Sequence, residues 1–286
     1  MQTIKSILEQ AIAQLTKAGV ESPRLDAELL LAHILEKTRG WLWAYHETGI
    51  SEADKNTFFS LISRRIHREP LAYILGEWEF YGRTFHIASG VLVPRPETEL
   101  LVEAVINWSK THSAQQIVDV GTGSGAIVIT LALELPDVSL WAIDISPQAL
   151  HIAQQNITNY RLSHRVTLLE GDLITPLHGH VTLPVDVVVA NLPYIPLQEI
   201  PHLMPEVRDY EPRVALAAAE EGLALIYRLI DESPSVLRNG GLLALEIGIN
   251  QADSTVTYLK ERQWTNISIV HDYAGIPRHI LAEYYQ

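Results

Sequence analysis

The chain has 286 residues, room for one large domain or two smaller ones, and 47% of them are apolar, enough for a full core. It has no cysteine, which excludes disulfides, thiolate nucleophiles and cysteine-held metals, and its formal net charge of -13 argues against a protein that grips nucleic-acid phosphates. No apolar run approaches the ~18 residues of a membrane span, and the opening MQTIKSILEQ does not read as an export signal, so a cytoplasmic protein without membrane or metal is expected.

Residues 1–75 read as a small bundle of helices. Ile4, Ile7, Leu8, Ile12 and Leu15 mark one face at helical spacing. Ser22-Pro23 is an N-cap followed by proline at the first helical position, and Gly40 is expected to close the helix that follows. Ser51 with Asp54 forms an acidic capping box for a third long helix, ended by Glu69-Pro70. Pro70 can open a short helix that Gly76 stops. The basic cluster Arg64, Arg65, His67 and Arg68 reads as a solvated helix face or end. This bundle carries no catalytic constellation, so docking of a substrate is its expected role.

Residues 76–93 mix aromatic and β-branched residues around Gly82 and read as a β-hairpin linker. Pro94-Arg95-Pro96 makes a stiff extended bridge, and a helix starts at Glu97-Thr98-Glu99 and runs to about Ser109. Residues 94–286 form the third expected division. Strands are expected at Gln116–Val120, Ser139–Asp144, Arg165–Asp172, Val185–Ala190 and Gly241–Gly248, with helices at Ala126–Glu134, Pro147–Asn159 and Gly222–Ser233. Such alternation predicts an α/β fold with a mostly parallel, doubly wound sheet. Residues 267–285 add two strands joined through Gly275-Ile276-Pro277, an antiparallel hairpin at one sheet edge.

Asp119-Val120-Gly121-Thr122-Gly123-Ser124-Gly125 follows the first strand of that sheet and opens a helix. Glycines there allow a tight turn and close approach of a ligand to the backbone. About twenty residues on, Asp144 ends the second strand, where an acid can accept hydrogen bonds from ribose hydroxyls. The spacing Gly121-x-Gly123-x-x-Ala126 would also serve NAD. The alternative spacing, Gly121-x-Gly123-x-Gly125, resembles the loop of S-adenosylmethionine-dependent methyltransferases, so glycine spacing alone leaves both cofactors open.

The reacting end is expected at Asn191-Leu192-Pro193-Tyr194, directly after the strand Val185–Ala190. Proline there must end the strand, and it leaves an amide, a backbone carbonyl and an aromatic ring at the strand's carboxyl end, where open α/β sheets bind ligands. Hydride transfer needs an acid or base beside the substrate, and this tetrapeptide offers none. It offers what a planar NH₂ group needs: acceptors in Asn191 Oδ1 and the Leu192 carbonyl, and a stacking face in Tyr194. If the sheet reverses its order between its first and fourth strands, the glycine loop and this tetrapeptide flank one crevice. A sensor that binds the cofactor without transfer is a further, non-enzymatic reading. His178-Gly179-His180 reads as a polar loop, and Glu246 as a buried acid with either a structural role or a place near the cofactor.

The tetrapeptide resembles the Asn/Asp/Ser-x-Pro-Tyr/Phe signature of methyltransferases that act on nitrogen in planar groups. Taken alone, Asn-Leu-Pro-Tyr looks like the RNA adenine dimethyltransferases, and an adenine-N6 methyltransferase acting on RNA or DNA is the alternative it supports. Over nearly the whole length the chain instead resembles the release factor glutamine N5-methyltransferases (the PrmC/HemK family). The residues that carry this are Arg68 to Gly76, Glu77-Trp78-Glu79-Phe80-Tyr81-Gly82, Val93 to Glu99, Glu211-Pro212 with Ala215-Leu216, and Leu245-Glu246-Ile247-Gly248. The family usually has proline where this chain has Leu192; the position is expected to act through its carbonyl. The resemblance implies a Rossmann-like S-adenosylmethionine-dependent methyltransferase domain behind a helical substrate-recognition domain. It implies methylation of the glutamine of the Gly-Gly-Gln motif in class I peptide chain release factors, without direct nucleic-acid binding. Carried over by position, the cofactor contacts fall on Gly121, Thr122, Gly123, Ser124, Gly125, Asp144, Asp172, Leu173 and Asn191. Asn191, Leu192, Pro193 and Tyr194 would hold the glutamine, with Asn191 and Tyr194 at the reaction itself.

Overall fold

The computed structural model describes residues 2–179 and 184–285; His180 of the polar loop noted above lies outside them. Contacts group the chain into two units, Met1–Glu77 with Met204–Tyr210, and Trp78–Leu203 with Glu211–Gln286.

The first unit holds α1 (Ile4–Lys17), α2 (Pro23–Leu35), α3 (Arg39–Ala44), α4 (Glu52–Ile66) and α5 (Leu71–Leu75). α1 buries Ile4, Ile7, Ala11 and Leu15, with Thr3 capping its start by accepting from the Ser6 N–H. Ser51 Oγ accepts from the Asp54 N–H and donates to the Asp54 carboxylate, so the expected cap forms with the hydroxyl rather than the Ser51 N–H as the second donor, and Gly76 stops α5 in the left-handed conformation. Three expectations are corrected. Ser22 makes no side-chain cap bond. Gly40 does not end α2, which stops at Glu36 with φ 52; Thr38 Oγ1 then accepts from the Trp41 N–H and caps a new helix that contains Gly40. α4 ends at Ile66 rather than Glu69.

The basic cluster at the end of α4 is a solvated face only at Arg64 and His67, which are exposed. Arg65 is 7% exposed and donates to Asp26 at 2.7 Å and to Glu206 at 2.8 Å, while Arg68 holds both Glu206 oxygens at 2.6 Å. Burial pushes the Asp26 carboxyl up against the pull of Arg65; burial acts on Glu206 too, but bonds from Arg68 and Arg65 hold it below its ordinary value. The partners lie far away in sequence, so helical periodicity around the arginines carries no sign of them.

The second unit begins around β1 (Glu77–Phe80) and β2 (Arg83–His86), joined by Tyr81 and Gly82 with φ of 53 and 67. Two successive positive φ values make the tight hairpin turn whose twist suits flanking strands. In chain order follow α6 (Thr98–His112), β3 (Gln116–Val120), α7 (Ala126–Glu134), β4 (Ser139–Asp144), α8 (Pro147–Asn159), β5 (Val166–Glu170), β6 (Val185–Ala190) and β7 (Ile195–Pro196). α9 (Pro205–Tyr210) falls in the first unit, and the chain returns through β8 (Ala217–Ala218), α10 (Ala224–Glu232), β9 (Leu237–Glu246), α11 (Ala252–Glu261), β10 (Thr265–His271) and β11 (Pro277–Tyr284).

Seven strands make one sheet in the order β10-β11-β9-β6-β3-β4-β5. Pairs from β9 through β5 are parallel, and β11 runs antiparallel to both β9 and β10, giving the edge hairpin. Val185, Val187, Val188, Val189 and Ala190 of β6 are all fully buried, as a strand covered on both faces requires. β5 is shorter than expected, because Leu173 soon turns the backbone into the left-handed region at φ 47. β9 starts four residues earlier than expected, at Leu237, across an irregularity in its pairing with β6 between Val185 and Val187. The sheet order reverses between β3 and β6, the place where a crevice opens at the carboxyl ends of the strands.

Candidate active site

A cavity of about 370 Å³ opens at that reversal point. Gly121 and Gly123 wall it after β3, Asp144 after β4, Asp172 and Leu173 after β5, and Asn191, Leu192 and Pro193 after β6. The sequence-predicted residues Thr122, Ser124, Gly125 and Tyr194 are not on this wall. Thr122 is buried and donates to Asp119 Oδ2 at 2.6 Å; the Ser124 carbonyl accepts from Asn156; Gly125 starts α7 with φ 81. Tyr194, the last residue of the tetrapeptide, donates its hydroxyl to Glu246.

The glycine loop is shaped by its neighbours. Gly121 N–H and Thr122 N–H both donate to the Ile143 carbonyl, which ties the loop to β4. Gly121 has φ 75, and a Cβ there would meet Leu192 Cδ2 at 3.2 Å, so strain and space both favour glycine. Leu192, where relatives are expected to carry proline, is 4% exposed and packs in the apolar core beneath the loop. Asp144 accepts from Gly123 N–H and Ser146 N–H, each at 2.9 Å, so it braces both the loop and the start of α8. Burial lifts its carboxyl above the ordinary value, opposed by these backbone bonds.

Asn191 belongs to a buried polar chain. Its Nδ2 donates to Thr98 Oγ1 at 3.2 Å; the Thr98 hydroxyl donates to Glu246 Oε2 at 2.6 Å; the Tyr194 hydroxyl donates to Glu246 Oε1 at 3.2 Å. Among the described residues none donates to Asn191 Oδ1, and Asn191 lines the cavity. The register of β6 and β9 pairs Ala190 with Leu245 and so brings Glu246 level with Asn191. Burial and the Glu246 charge push the Tyr194 phenol far up, so it stays protonated. Gln251 holds the Tyr194 carbonyl at 2.8 Å, and the Ile195 N–H donates to the Leu216 carbonyl. The tetrapeptide is thus fixed at side chain and backbone.

Residues 94–99 hold the wall together. Arg95 Nη2 reaches both Glu211 oxygens at 2.8 and 2.9 Å, joining this segment to the stretch that brings Val214, Ala215 and Ala217 to the cavity. Glu99 accepts from the Tyr81 N–H at 2.7 Å and so clasps the hairpin turn. Further wall residues came without a sequence signal: Gly90, Val91 and Leu92 after the hairpin, Ile145 and Ser146, and Leu225 with Arg228 on α10. Arg228 pairs with Asp172 at 2.8 Å across two distant segments. The paired acid at Asp172 was visible; a partner fifty-odd positions away was not.

Residues 6–76 match the family described as the PrmC N-terminal domain, and residues 95–214 match the ribosomal protein L11 methyltransferase (PrmA) family. The release factor glutamine methyltransferase of Moorella thermoacetica is 41% identical over 281 residues, covering 98% of each chain. That of Koribacter versatilis is 39% identical over 279 residues, again 98% of each. The chain belongs to the release factor glutamine methyltransferase family. Among solved structures, the hMettl16 catalytic domain in complex with MAT2A 3′UTR hairpin 6 matches with TM-score 0.56 over 82% of this chain and 83% of that one. At 16% identity it shows a shared fold alone.

A methyltransferase of this family uses S-adenosylmethionine, and the cavity suits it. Its volume is that of a small-ligand site, its glycine loop leaves no Cβ between backbone and ligand, and an acid stands at the end of β4. Gly121, Gly123, Asp144, Asp172 and Leu173 line the cavity where such a molecule would fit. Leu173 offers it only an apolar face.

Proposed function

We propose that this family member methylates the side-chain amide of the glutamine in the Gly-Gly-Gln motif of class I peptide chain release factors, with Asn191 to Tyr194 as the amide-binding residues. The observation that carries this is the bonding of Asn191, a cavity-lining residue whose Nδ2 is committed to Thr98 while its Oδ1 has no donor among the described residues. Oδ1 and the Leu192 carbonyl can each accept one N–H of a planar amide, which fixes the nitrogen and makes it richer in electrons. Pro193 stiffens the loop, and Leu192, Val214 and Ala217 give the cavity an apolar wall. The bound cofactor supplies a methyl on a sulfonium, whose carbon–sulfur electrons stay with sulfur when the methyl leaves. Alignment and exclusion of water are what such a transfer needs most. No side chain need take a proton beforehand, since the methylated nitrogen is acidic and releases its proton to water afterwards.

The helical first unit is then the part that recognises the release factor. The acidic charge supports contact with a protein rather than with nucleic acid, and a substrate used in translation implies a cytoplasmic site of action. Among the described residues no helix is long and apolar enough to cross a membrane. The test is Asn191→Ala, assayed with labelled cofactor and a purified release factor. Transfer should fall by about a hundredfold or more while the urea midpoint stays near that of the parent. Undiminished transfer would overturn the reading.

A further inference from the structure

We infer that Thr98 and Glu246 are positioning residues that decide which end of the Asn191 amide faces the substrate. The inference rests on the proposed role of Asn191. A side-chain amide can sit either way round with almost the same shape, yet only one orientation offers an acceptor to a substrate N–H; the other offers a donor, which repels it. Something must break that symmetry, and the polar chain behind Asn191 does so.

Glu246 ends β9 at 2% exposure, and Thr98 opens α6 at 4%. Both hydroxyls that reach Glu246, those of Thr98 and Tyr194, donate their protons to it. With its proton spent at 2.6 Å on Glu246, Thr98 Oγ1 has only lone pairs to show Asn191. The group facing it must therefore be Nδ2, and Oδ1 is turned outward. Burial matters, because water cannot reach the chain to substitute for either partner. His279, opposite Glu246 on β11, brings Nε2 to 3.7 Å of Oε2 and is itself fully buried. Two stretches that share no segment of chain, one before the sheet and one at its fifth parallel strand, thus meet on a single amide.

The test uses the full chain with Thr98→Val, which keeps the branched shape and loses the acceptor, and Thr98→Ser, which keeps it. Transfer kinetics, cofactor affinity by calorimetry and urea midpoints are compared with the parent. For Thr98→Val, kcat should fall about tenfold to a hundredfold, with cofactor affinity and midpoint little changed. Thr98→Ser should recover kcat to within about threefold. Should the valine variant fold poorly, Thr98→Ala is held to the same outcomes. A valine variant with parental kcat, or a serine variant as slow as the valine one, overturns the inference. Asn191→Ala is run alongside: full activity there removes the reading beneath it, whereas a dead Asn191→Ala with an unaffected Thr98→Val removes the inference alone.

Discussion

Asp119 ends the apolar strand β3 completely buried, with one oxygen taken by the Thr122 hydroxyl and the Val128 N–H and the other left without a partner among the described residues. Burial, with the Asp144 charge nearby, lifts its carboxyl to about 7. The folded chain therefore holds this proton more tightly than the unfolded one. Stability linked to it is complete below the unfolded pKa near 4 and is lost as pH rises toward 7, on the order of 4 kcal/mol over the window. Urea midpoints at pH 5 and pH 8 should differ less in Asp119→Asn than in the parent; an equal difference would refute the assignment. Gly222, with φ 86, lies so close to the tetrapeptide that a Cβ would stand 2.0 Å from the Tyr194 carbonyl oxygen. Gly222→Ala should cost about 1–3 kcal/mol and slow transfer, because the loop carrying Asn191 must shift. Neither effect is written in local pattern. The glycine at 222 reads only as a helix start, and the pressure on it comes from a backbone some thirty positions earlier.

At the scale of elements, α8 does more than cover the sheet. Its Asn156, fully buried, accepts from the His86 N–H at 2.7 Å and donates to the His86 and Ser124 carbonyls at 3.0 and 2.9 Å. It pins the hairpin strand β2 and the glycine loop to one helix. Asn156→Ala takes the partner from three backbone groups, the buried Ser124 carbonyl and the part-buried His86 N–H and carbonyl, and should cost about 3 kcal/mol in denaturant unfolding, with weaker cofactor binding; a loss under about 1 kcal/mol would contradict this. Most elements were legible because their patterns are strong. The β-branched run of β6, the glycine loop after β3 and the Ser51–Asp54 box each announce themselves locally. What failed were boundaries set by competition. Thr38 begins a new helix and so absorbs Gly40, and the start of β9 follows its irregular pairing with β6 rather than Gly241. At the site the strand-end residues Gly121, Asp144 and Asn191 were legible for the same reason, since strand ends are readable. Arg228, Leu225 and residues 90–92 come from helix and loop positions whose place at the cavity depends on packing.

Within the first unit a large distance in sequence is closed by charge. Asp26, Arg65, Arg68 and Glu206 bind Met204–Tyr210 to the helical unit, although that segment lies far along the chain from the bundle it joins. Removing one member leaves buried charge uncompensated, so Glu206→Ala should destabilise by about 3–5 kcal/mol, read as a shift in urea midpoint; a neutral outcome would show the cluster to be dispensable. The proposed reaction joins the whole chain, a cofactor cavity in one unit and substrate recognition by the other. Its most direct test gives the protein labelled S-adenosylmethionine and a class I release factor, alongside the same factor with its Gly-Gly-Gln glutamine changed to alanine. Label on the first factor and none on the second is the predicted result. Label on both, or on neither while the cofactor binds, would contradict glutamine methylation and return an adenine amino group to consideration.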